Sequence, residues 1–300
     1  SDGSACAQLS ALNPGADEQD GILLHDFDPS YAPNGSLVFA STRGNIAGES
    51  SVRGPTRTSA ALTPNANLYI YEPSRSEKIR QLTFLNNQEV GPSFMTDGRL
   101  IMTAEKRAPD FHQFAARRQN LDGADYHPLF AQRSSVGFGS ATEVIELFNR
   151  NFALVAADLD AVDGGGTIMI VNRSIGPDQP DRDPADRGYI HSVSAPLPGA
   201  FGGDTGVFRS PAALPSGRLL ASCDVMAGDP AAGPHHYALC ELDPAPGSTP
   251  RVLLRDASRV VVEAAPVLVR EPRSVFSSRS DEPNGSTSVD AAHSDAEVHI

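Results

Sequence analysis

Short apolar runs alternate with tight polar turns along this chain, and one such arrangement occurs in three closely similar copies. Each copy has two apolar runs on either side of a two-residue turn that ends in glycine. The copies span Pro29–Ser41, Pro92–Ala104 and Ser210–Cys223, with turns at Asn34-Gly35, Asp97-Gly98 and Ser216-Gly217. A glycine turn between apolar runs predicts a β-hairpin. The repetition predicts a chain built from repeated sheet units.

The spacing of the turns gives the size of the repeat. Gly35 and Gly98 are 63 residues apart, and Gly98 and Gly217 are 119 residues apart, which is close to two repeats. A degenerate copy is therefore expected between the second and third hairpins. Val144–Phe148 and Asn151–Ala157 flank a polar turn at that place, although this turn lacks glycine.

A further weak copy lies near the end of the sequence. It begins at Pro266–Val269, turns through Arg270–Arg273 and resumes at Val275–Ser278, again without a turn glycine. Only Ser140–Phe148 has a spacing of apolar residues that suggests helix, of one or two turns. The chain as a whole is therefore predicted to be all-β.

Apolar alternation between the hairpins predicts two outer strands for each repeat. These segments are Asn67–Glu72, Ile79–Phe84, Phe111–Arg117, Gly166–Asn172, His236–Asp243 and Arg251–Arg255. Four-stranded sheets repeated radially are the blades of a β-propeller. The sequence predicts one propeller domain over residues 1–300, with six blades of which about five are visible. The blade units are 26–84, 86–132, 135–175, 206–257 and 260–300, and residues 1–24 are expected to supply strands for ring closure.

Some of these segments resemble a known repeat family. Asp28–Arg43, followed by Asn67–Tyr69 and closed by Arg80–Thr83, resembles the WD40-like repeat of the TolB-type propellers. A narrower resemblance is to the middle domain of hydrazine synthase alpha subunit-like proteins. It is carried by Asp97–Leu100, Leu121–Gly123, Arg209–Pro211 with Leu214–Arg218, and Arg270–Arg273.

The resemblance implies a six-bladed propeller in a periplasmic or secreted protein, where the propeller lies beside haem-bearing domains. Covalent haem attachment needs Cys-x-x-Cys-His. The three cysteines, Cys6, Cys223 and Cys240, do not form that motif. No haem site is therefore assigned to these residues, and redox chemistry of that kind would lie outside them.

Composition narrows the classes of partner. The chain has 37 acidic and 24 basic residues, a net charge of −13, which opposes binding to nucleic acid. Hydrophobic residues make up 40% of the sequence, which excludes wholesale disorder. No apolar run approaches the roughly 20 residues of a membrane span. The sequence lacks an initiator Met and ends on the strand-like Glu297–Ile300, so we expect a segment of a longer protein.

Two sets of residues are candidates for special chemistry. Cys223 and Cys240 lie in strands expected to pair, so they are either a cross-strand disulfide or two small buried apolar residues. Asp158, Asp160 and Asp163 precede three glycines, and their carboxylates are either ligands of a Ca²⁺ ion or part of an acidic turn. No other cofactor is expected in this segment.

Two long connections, Gly44–Asn65 and Gly176–Gly206, are candidate binding surfaces or insertions without a role. Three hypotheses of function follow. The leading one is a non-catalytic propeller scaffold that binds a protein partner or neighbouring domains of its own polypeptide. The second is the middle domain of a multidomain haem redox enzyme, with its active site elsewhere. The third is a propeller hydrolase or lyase with a metal in the central channel, where histidine and carboxylate side chains would converge.

Overall fold

A computed structural model describes residues 18–19, 22–23, 25–43, 66–76, 78–85, 87–108, 111–129, 138–173, 190–193 and 206–268. Every regular element in these ranges is a β-strand. The strands form a propeller-like all-β fold, as the sequence predicted. In the described ranges no helix is long and apolar enough to cross a membrane.

Four blades follow one another along the chain, and within each blade four strands pair antiparallel in sequence order. A parallel pairing of Ser140 with Phe114 joins the second and third blades into one eight-stranded sheet. A short hairpin of β1 (Glu18–Gln19) and β2 (Ile22–Leu23) precedes them. Blade 1 contains β3 (Asp26–Tyr31), β4 (Leu37–Ser41), β5 (Asn67–Tyr71) and β6 (Ile79–Gln81). Blade 2 contains β7 (Glu89–Phe94), β8 (Leu100–Ala108), β9 (Phe111–Gln119) and β10 (His127–Pro128). Blade 3 contains β11 (Ser140–Glu146), β12 (Phe152–Ala157), β13 (Thr167–Val171) and β14 (Ile190–Ser192). Blade 4 contains β15 (Val207–Ala213), β16 (Leu219–Asp224), β17 (Ala238–Leu242) and β18 (Arg251–Leu254).

The turn between the first two strands of each blade has the same conformation in all four blades. Gly35, Gly98 and Gly217 have φ values of 86°, 91° and 83°, in the left-handed region that glycine adopts without steric cost. Arg150 takes this position in blade 3, with φ of 74°. The amide of each of these residues donates to the carbonyl three residues earlier, as from Arg150 to Leu147. The hairpin predicted without a glycine is thereby confirmed.

A β-bulge interrupts the first strand of every blade, and the sequence did not reveal it. The bulged residues are Asp28, Gly91, Glu143 and Ser210, with φ values of 51°, 61°, 51° and 52°. Each lies seven residues before the left-handed turn residue of its own hairpin. A bulge adds one residue to one strand and redirects the side chains that follow it.

The predicted helical tendency of Ser140–Phe148 was wrong, because this segment forms β11 and the following turn. Ala141, Val144 and Leu147 are the buried residues, and their spacing of three resembles a helical period. The bulge at Glu143 produces that spacing, since it adds a residue to a strand in which alternate side chains would otherwise be buried.

Apolar cores fill the spaces between successive blades. Burial stabilises each large aliphatic side chain by about 1.5–3 kcal/mol. Adjacent residues of a strand point to opposite faces, so Met102 and Ile101 belong to different cores. Between blades 1 and 2 lie Leu68, Ile70, Leu100 and Met102; between blades 2 and 3, Ile101, Ala116, Leu154 and Met169; between blades 3 and 4, Ile168, Ile170, Leu219 and Ala221.

Several predicted features lie beyond the described residues. Residues 255–268 run without a strand, and the remainder of the predicted unit 260–300 lies outside the described ranges. The connection 44–65 lies outside them entirely. Of the connection 176–206, only residues 190–193 and Gly206 are described.

Candidate functional site

The first strands of the blades contact one another in order, β3 with β7, β7 with β11 and β11 with β15. Such contacts are those of inner strands around a propeller axis. We call the polar groups at and beside these bulges the axial cluster. It consists of Asp28, Glu143, Arg209, Ser210 and Tyr237.

Two carboxylates of the cluster tie neighbouring inner strands together. The amide of Gly91 in blade 2 donates to Asp28 Oδ2 in blade 1, at 3.0 Å. The amide of Ser210 in blade 4 donates to Glu143 Oε2 in blade 3. All four residues are at the bulges, where a ladder amide is freed from its strand partner. In both pairs, the amide freed at a bulge donates to a carboxylate on the inner strand of the preceding blade.

Glu143 is the more heavily bonded of the two carboxylates. Its Oε1 accepts from Ser210 Oγ at 3.3 Å and from Arg209 Nη2 at 3.4 Å. Its side chain is 27% exposed. Burial raises the pKa of Glu143, although the Ser210 amide and the Arg209 charge oppose this effect. The negative charge of Asp28 also contributes to the rise in the pKa of Glu143.

The pKa of Asp28 is raised like that of Glu143, but its side chain accepts fewer hydrogen bonds. Burial is the main cause of its raised pKa, and the negative charge of Glu263 adds to it. The Gly91 hydrogen bond and the Arg209 charge act in the opposite direction on this pKa. Its second oxygen, Oδ1, accepts no hydrogen bond from the described residues.

Arg209 holds the parts of the cluster in place. Its Nη1 donates to the carbonyl of Asp163 at 2.7 Å, and its Nη2 is 3.6 Å from Glu263 Oε1. With the bond to Glu143, the guanidinium connects blade 4 to blade 3 and to the segment after β18. Gly164 lies directly against it, since a Cβ built on that glycine would be 3.3 Å from Arg209 Cζ. The two carboxylates in contact with Arg209, those of Glu143 and Glu263, exceed its single positive charge.

The hydroxyl group of Tyr237 is buried beside this network without a hydrogen-bond partner. Tyr237 is only 3% exposed, and a Cβ built on Gly165 would lie 2.6 Å from its Oη. Burial raises the pKa of Tyr237 to about 12, and the charges of Arg209, Asp163 and Glu143 also act on it. A buried polar atom without a partner costs free energy, so this hydroxyl lowers the stability of the fold.

The predicted aspartate loop lies between β12 and β13. Asp158, Asp160 and Asp163 are all exposed. The Asp163 side chain accepts from the amide of His235 at 3.2 Å, so it anchors the loop to the segment before β17. No group of three or more His, Cys, Asp or Glu side chains in the described ranges is arranged to hold a metal ion.

Two histidines, His235 and His236, directly precede Tyr237 in the sequence, and neither belongs to the axial cluster. His235 is buried, its ring lies 5.7 Å from that of Tyr237, and its Nε2 is 3.2 Å from the carbonyl of Pro230. His236 is exposed. The adjacent histidines thus face opposite ways, as expected for neighbours in an extended segment.

Cys223 and Cys240 are joined as a disulfide between β16 and β17, with their Cα atoms 6.0 Å apart. The register pairs Cys223 with Ala238 and Cys240 with Ala221, so the cysteines are diagonal neighbours. Both are fully buried in the core between blades 3 and 4.

Comparison with solved structures shows a likeness of fold. The chain is similar to hydrazine synthase from Kuenenia stuttgartiensis, with a TM-score of 0.62 and 17% identity over 85% of this chain. The match covers 32% of that chain, so this sequence spans about a third of the protein it resembles. A glycosyl hydrolase from Bacteroides ovatus is similar at a TM-score of 0.40 and 14% identity, over 77% of this chain and 71% of that one. No family model and no curated protein matches the sequence.

At 17% identity the likeness establishes the fold alone, an all-β propeller-like domain. It does not assign a role to any residue of the axial cluster. Sequence reasoning missed Glu143, Arg209 and Tyr237 as members of a common site, because each is isolated in its own segment. Alignment of the four hairpins on their left-handed turn residues would have placed Asp28 and Glu143 at one equivalent position.

Proposed function

We propose that this chain is a non-catalytic propeller domain that binds a protein partner or a neighbouring domain of its own polypeptide, in an exported protein. The axial cluster is the proposed contact surface. The observation that carries the proposal is the repeated bond between a bulge carboxylate and the bulge amide of the next blade, from Gly91 to Asp28 and from Ser210 to Glu143, with Arg209 bound to Glu143. Polar groups held by paired strands present a fixed pattern of charge, which favours specific docking.

The contacts of the cluster fit a binding role. Arg209 already bonds to Glu143 and to the carbonyl of Asp163, so its donors fix the position of neighbouring groups. Asp28 and Glu263 leave a negative charge that Arg209 alone does not balance. Docking at this surface is expected to favour a partner that brings positive charge.

Cross-linking in the longer native protein tests this proposal. A photo-reactive residue in place of Ser30, beside the bulge of β3, is expected to capture a defined segment of another domain or protein. The capture should weaken in Asp28→Asn and remain in Asp243→Asn, a matched exchange at an exposed turn in blade 4. If capture were the same in the native protein and in both variants, a role for the axial cluster would be contradicted.

A second candidate is the middle domain of a multidomain haem redox enzyme similar to hydrazine synthase alpha. It is favoured by the match of 85% of this chain to 32% of the longer hydrazine synthase chain. The TolB-type repeat pattern of residues 26–104 is compatible with either candidate. The absorbance spectrum of the longer protein, made in cells that attach c-type haem, separates them. A Soret band in the longer protein and none in residues 1–300 would support the redox candidate, and its absence from both would reject it.

A further inference from the structure

We infer that residues 261–268 are the inner strand of a fifth blade, and that its open face binds the first hairpin of one further blade of the same polypeptide. Residues 255–268 form no ladder with a described strand, so the inference rests on the geometry that the four described blades repeat. The surface is distinct from the axial cluster, and the inference does not depend on the proposed function.

The first observation is a backbone hydrogen bond that joins an inner strand to the blade before it. In two described joints, the amide two residues before the bulge donates to the carbonyl just before the third strand of the preceding blade. These donor and acceptor pairs are Glu89 with Ala66, at 2.9 Å, and Phe208 with Gly166, at 2.7 Å. The amide of Val261 donates in the same way to the carbonyl of Tyr237, at 3.0 Å, and Tyr237 directly precedes β17. Val261 therefore lies against blade 4 as an inner strand lies against its predecessor.

Glu263, two residues after Val261, has the conformation of a bulge residue. Its φ is 58°, whereas the four described bulges have φ values of 51° to 61°. Seven residues after Glu263 the sequence has Arg270, in the turn predicted for the fifth hairpin. Blade 3 has the same two residue types at the same spacing, Glu143 and Arg150. Conformation and spacing thus make Glu263 the fifth bulge of the series.

The residue four positions after a bulge shows which face of the fifth strand is open. In blades 1 to 3 this residue is buried in the core shared with the next blade, and it is Ala32, Met95 and Leu147 in turn. Leu214 of blade 4 is half-buried. Val267 takes this position after Glu263 and is 100% exposed. Burial of an apolar side chain is favourable, so Val267 marks a face that a further blade would cover.

The carboxylate of Glu263 is the polar part of this face. At the joints after blades 1 and 3, the bulge carboxylate accepts the bulge amide of the next blade, from Gly91 and from Ser210. Glu263 is mostly exposed, and no amide of the described residues donates to it. Gly91 and Ser210 are both small and are both followed by proline. The incoming strand is expected to share these features, because a small side chain lets the carboxylate reach the amide and proline adds no second amide to satisfy.

Blade 1 has an open face of its own. Alternation in β4 turns Val38 towards blade 2 and Leu37 the opposite way. The outward face has a cleft, lined by Leu37, Phe39, Tyr71 and Ile79. Propeller blades are arranged radially, so this face and that of the fifth strand border the same opening. Every described joint is formed by successive units of one chain, which favours a further unit of this polypeptide as the occupant.

Photo-cross-linking in the longer native protein tests the inference. A photo-reactive residue in place of Val267 is expected to capture, within the same polypeptide, a hairpin that contains glycine or serine followed by proline. The same replacement at Leu214 is the matched control, and it should capture residues of the fifth unit, 260–300. Capture of blade 1 would mean that the ring closes on the fifth strand directly. That result, capture of a second copy or of another protein, or no capture from Val267, would overturn the inference.

Substitution of Glu263 gives a second readout. Glu263→Ala removes the acceptor, so it should lower the unfolding temperature of the propeller in the longer protein by about 3 °C. Glu263→Gln retains an acceptor oxygen and should have little effect. In residues 1–300 alone, both exchanges should leave the unfolding temperature nearly unchanged, because the carboxylate is exposed there. An equal loss from Glu263→Ala in both proteins, or no loss in the longer one, would reject the bond to an incoming strand.

Discussion

The joint between blades 3 and 4 and the joint between blades 1 and 2 are built on the same backbone plan but differ in how their polar groups are satisfied. In the first, Glu143 accepts from Ser210 and Arg209, and the nearby core contains the Cys223–Cys240 disulfide. In the second, Glu89 is completely buried and neither of its carboxylate oxygens accepts a hydrogen bond of normal geometry.

The two glutamates show that a carboxylate can be buried with or without hydrogen-bond partners. Burial raises the pKa of Glu89, although Thr83, Tyr126 and Arg117 favour its ionised form. Glu143 has the same direction of pKa shift but pairs its oxygens with the next blade. A satisfied carboxylate supports a joint, whereas an unsatisfied one weakens it. We therefore expect substitutions to have opposite signs in the two joints.

The largest expected effect is the loss of the disulfide from the joint between blades 3 and 4. The cysteines are 17 residues apart in sequence, and closing a loop of this size stabilises by about 3 kcal/mol. The double variant Cys223→Ala/Cys240→Ala should lower the free energy of unfolding by that amount in urea titrations. Reductant should destabilise the parent chain and leave the double variant unchanged. Free thiols at both positions in unreduced, denatured protein would contradict the disulfide.

Removal of the Glu143 carboxylate should give the next largest effect. Glu143→Ala leaves the Ser210 amide without its acceptor and Arg209 without its closest carboxylate, at a cost of about 2 kcal/mol. Glu143→Gln keeps an acceptor for the amide, so it should retain most of the stability. Chemical denaturation of both variants measures the difference. If alanine and glutamine were equally destabilising, the inter-blade hydrogen bond would not be the cause.

Glu89→Gln should stabilise the joint between blades 1 and 2. The raised pKa of Glu89 means that the carboxyl group stabilises the fold fully at pH values below its unfolded-state pKa, and loses that contribution as pH rises through the folded pKa. Near pH 7 the glutamine variant should therefore be more stable by about 1 kcal/mol. Its advantage should vanish at acidic pH.

Thermal unfolding from pH 4 to pH 8 checks this prediction, with Glu263→Gln as the control. Glu263 is 73% exposed, and its exchange should have little effect on stability at any of these pH values. A gain that is the same at pH 4 and pH 8 would rule out ionisation of Glu89 as its origin.

Tyr237→Phe should give the smallest change in stability. It removes a buried hydroxyl that has no partner, so the free energy of unfolding should rise by up to about 1 kcal/mol. Calorimetry of this variant and of the parent chain measures the change. A clear loss of stability would mean that the hydroxyl already has a partner within the protein.

The sequence predicted the hairpins because their signals are local. Asn34-Gly35, Asp97-Gly98 and Ser216-Gly217 specify turns by the conformational freedom of glycine, and all three form as expected. The bulges were missed because Asp28, Gly91, Glu143 and Ser210 are four different residue types in one conformation. Asp, Glu and Ser do not signal a left-handed φ within a strand by themselves, because non-glycine residues seldom adopt that conformation.

The axial cluster was missed for a related reason. Glu143 and Ser210 are 67 residues apart, and only the stacking of inner strands brings them into contact. The aspartates of the 158–163 loop are a candidate site in the sequence because they are close together there, whereas the members of the axial cluster lie in separate segments. Proximity in sequence predicts turns well, but a site at a propeller axis is assembled from residues one blade apart.

Seven residues separate the bulge from the turn in each of the four described blades, so every blade is a structural unit of the same design. Both features set the register of the first hairpin from within the blade, so the alignment of its strands does not depend on its neighbours. A gene segment that encodes one blade could thus be duplicated or exchanged without shifting the pairing inside the others. Such a chain can evolve by whole units, each of which brings its own bulge residue to its inner strand.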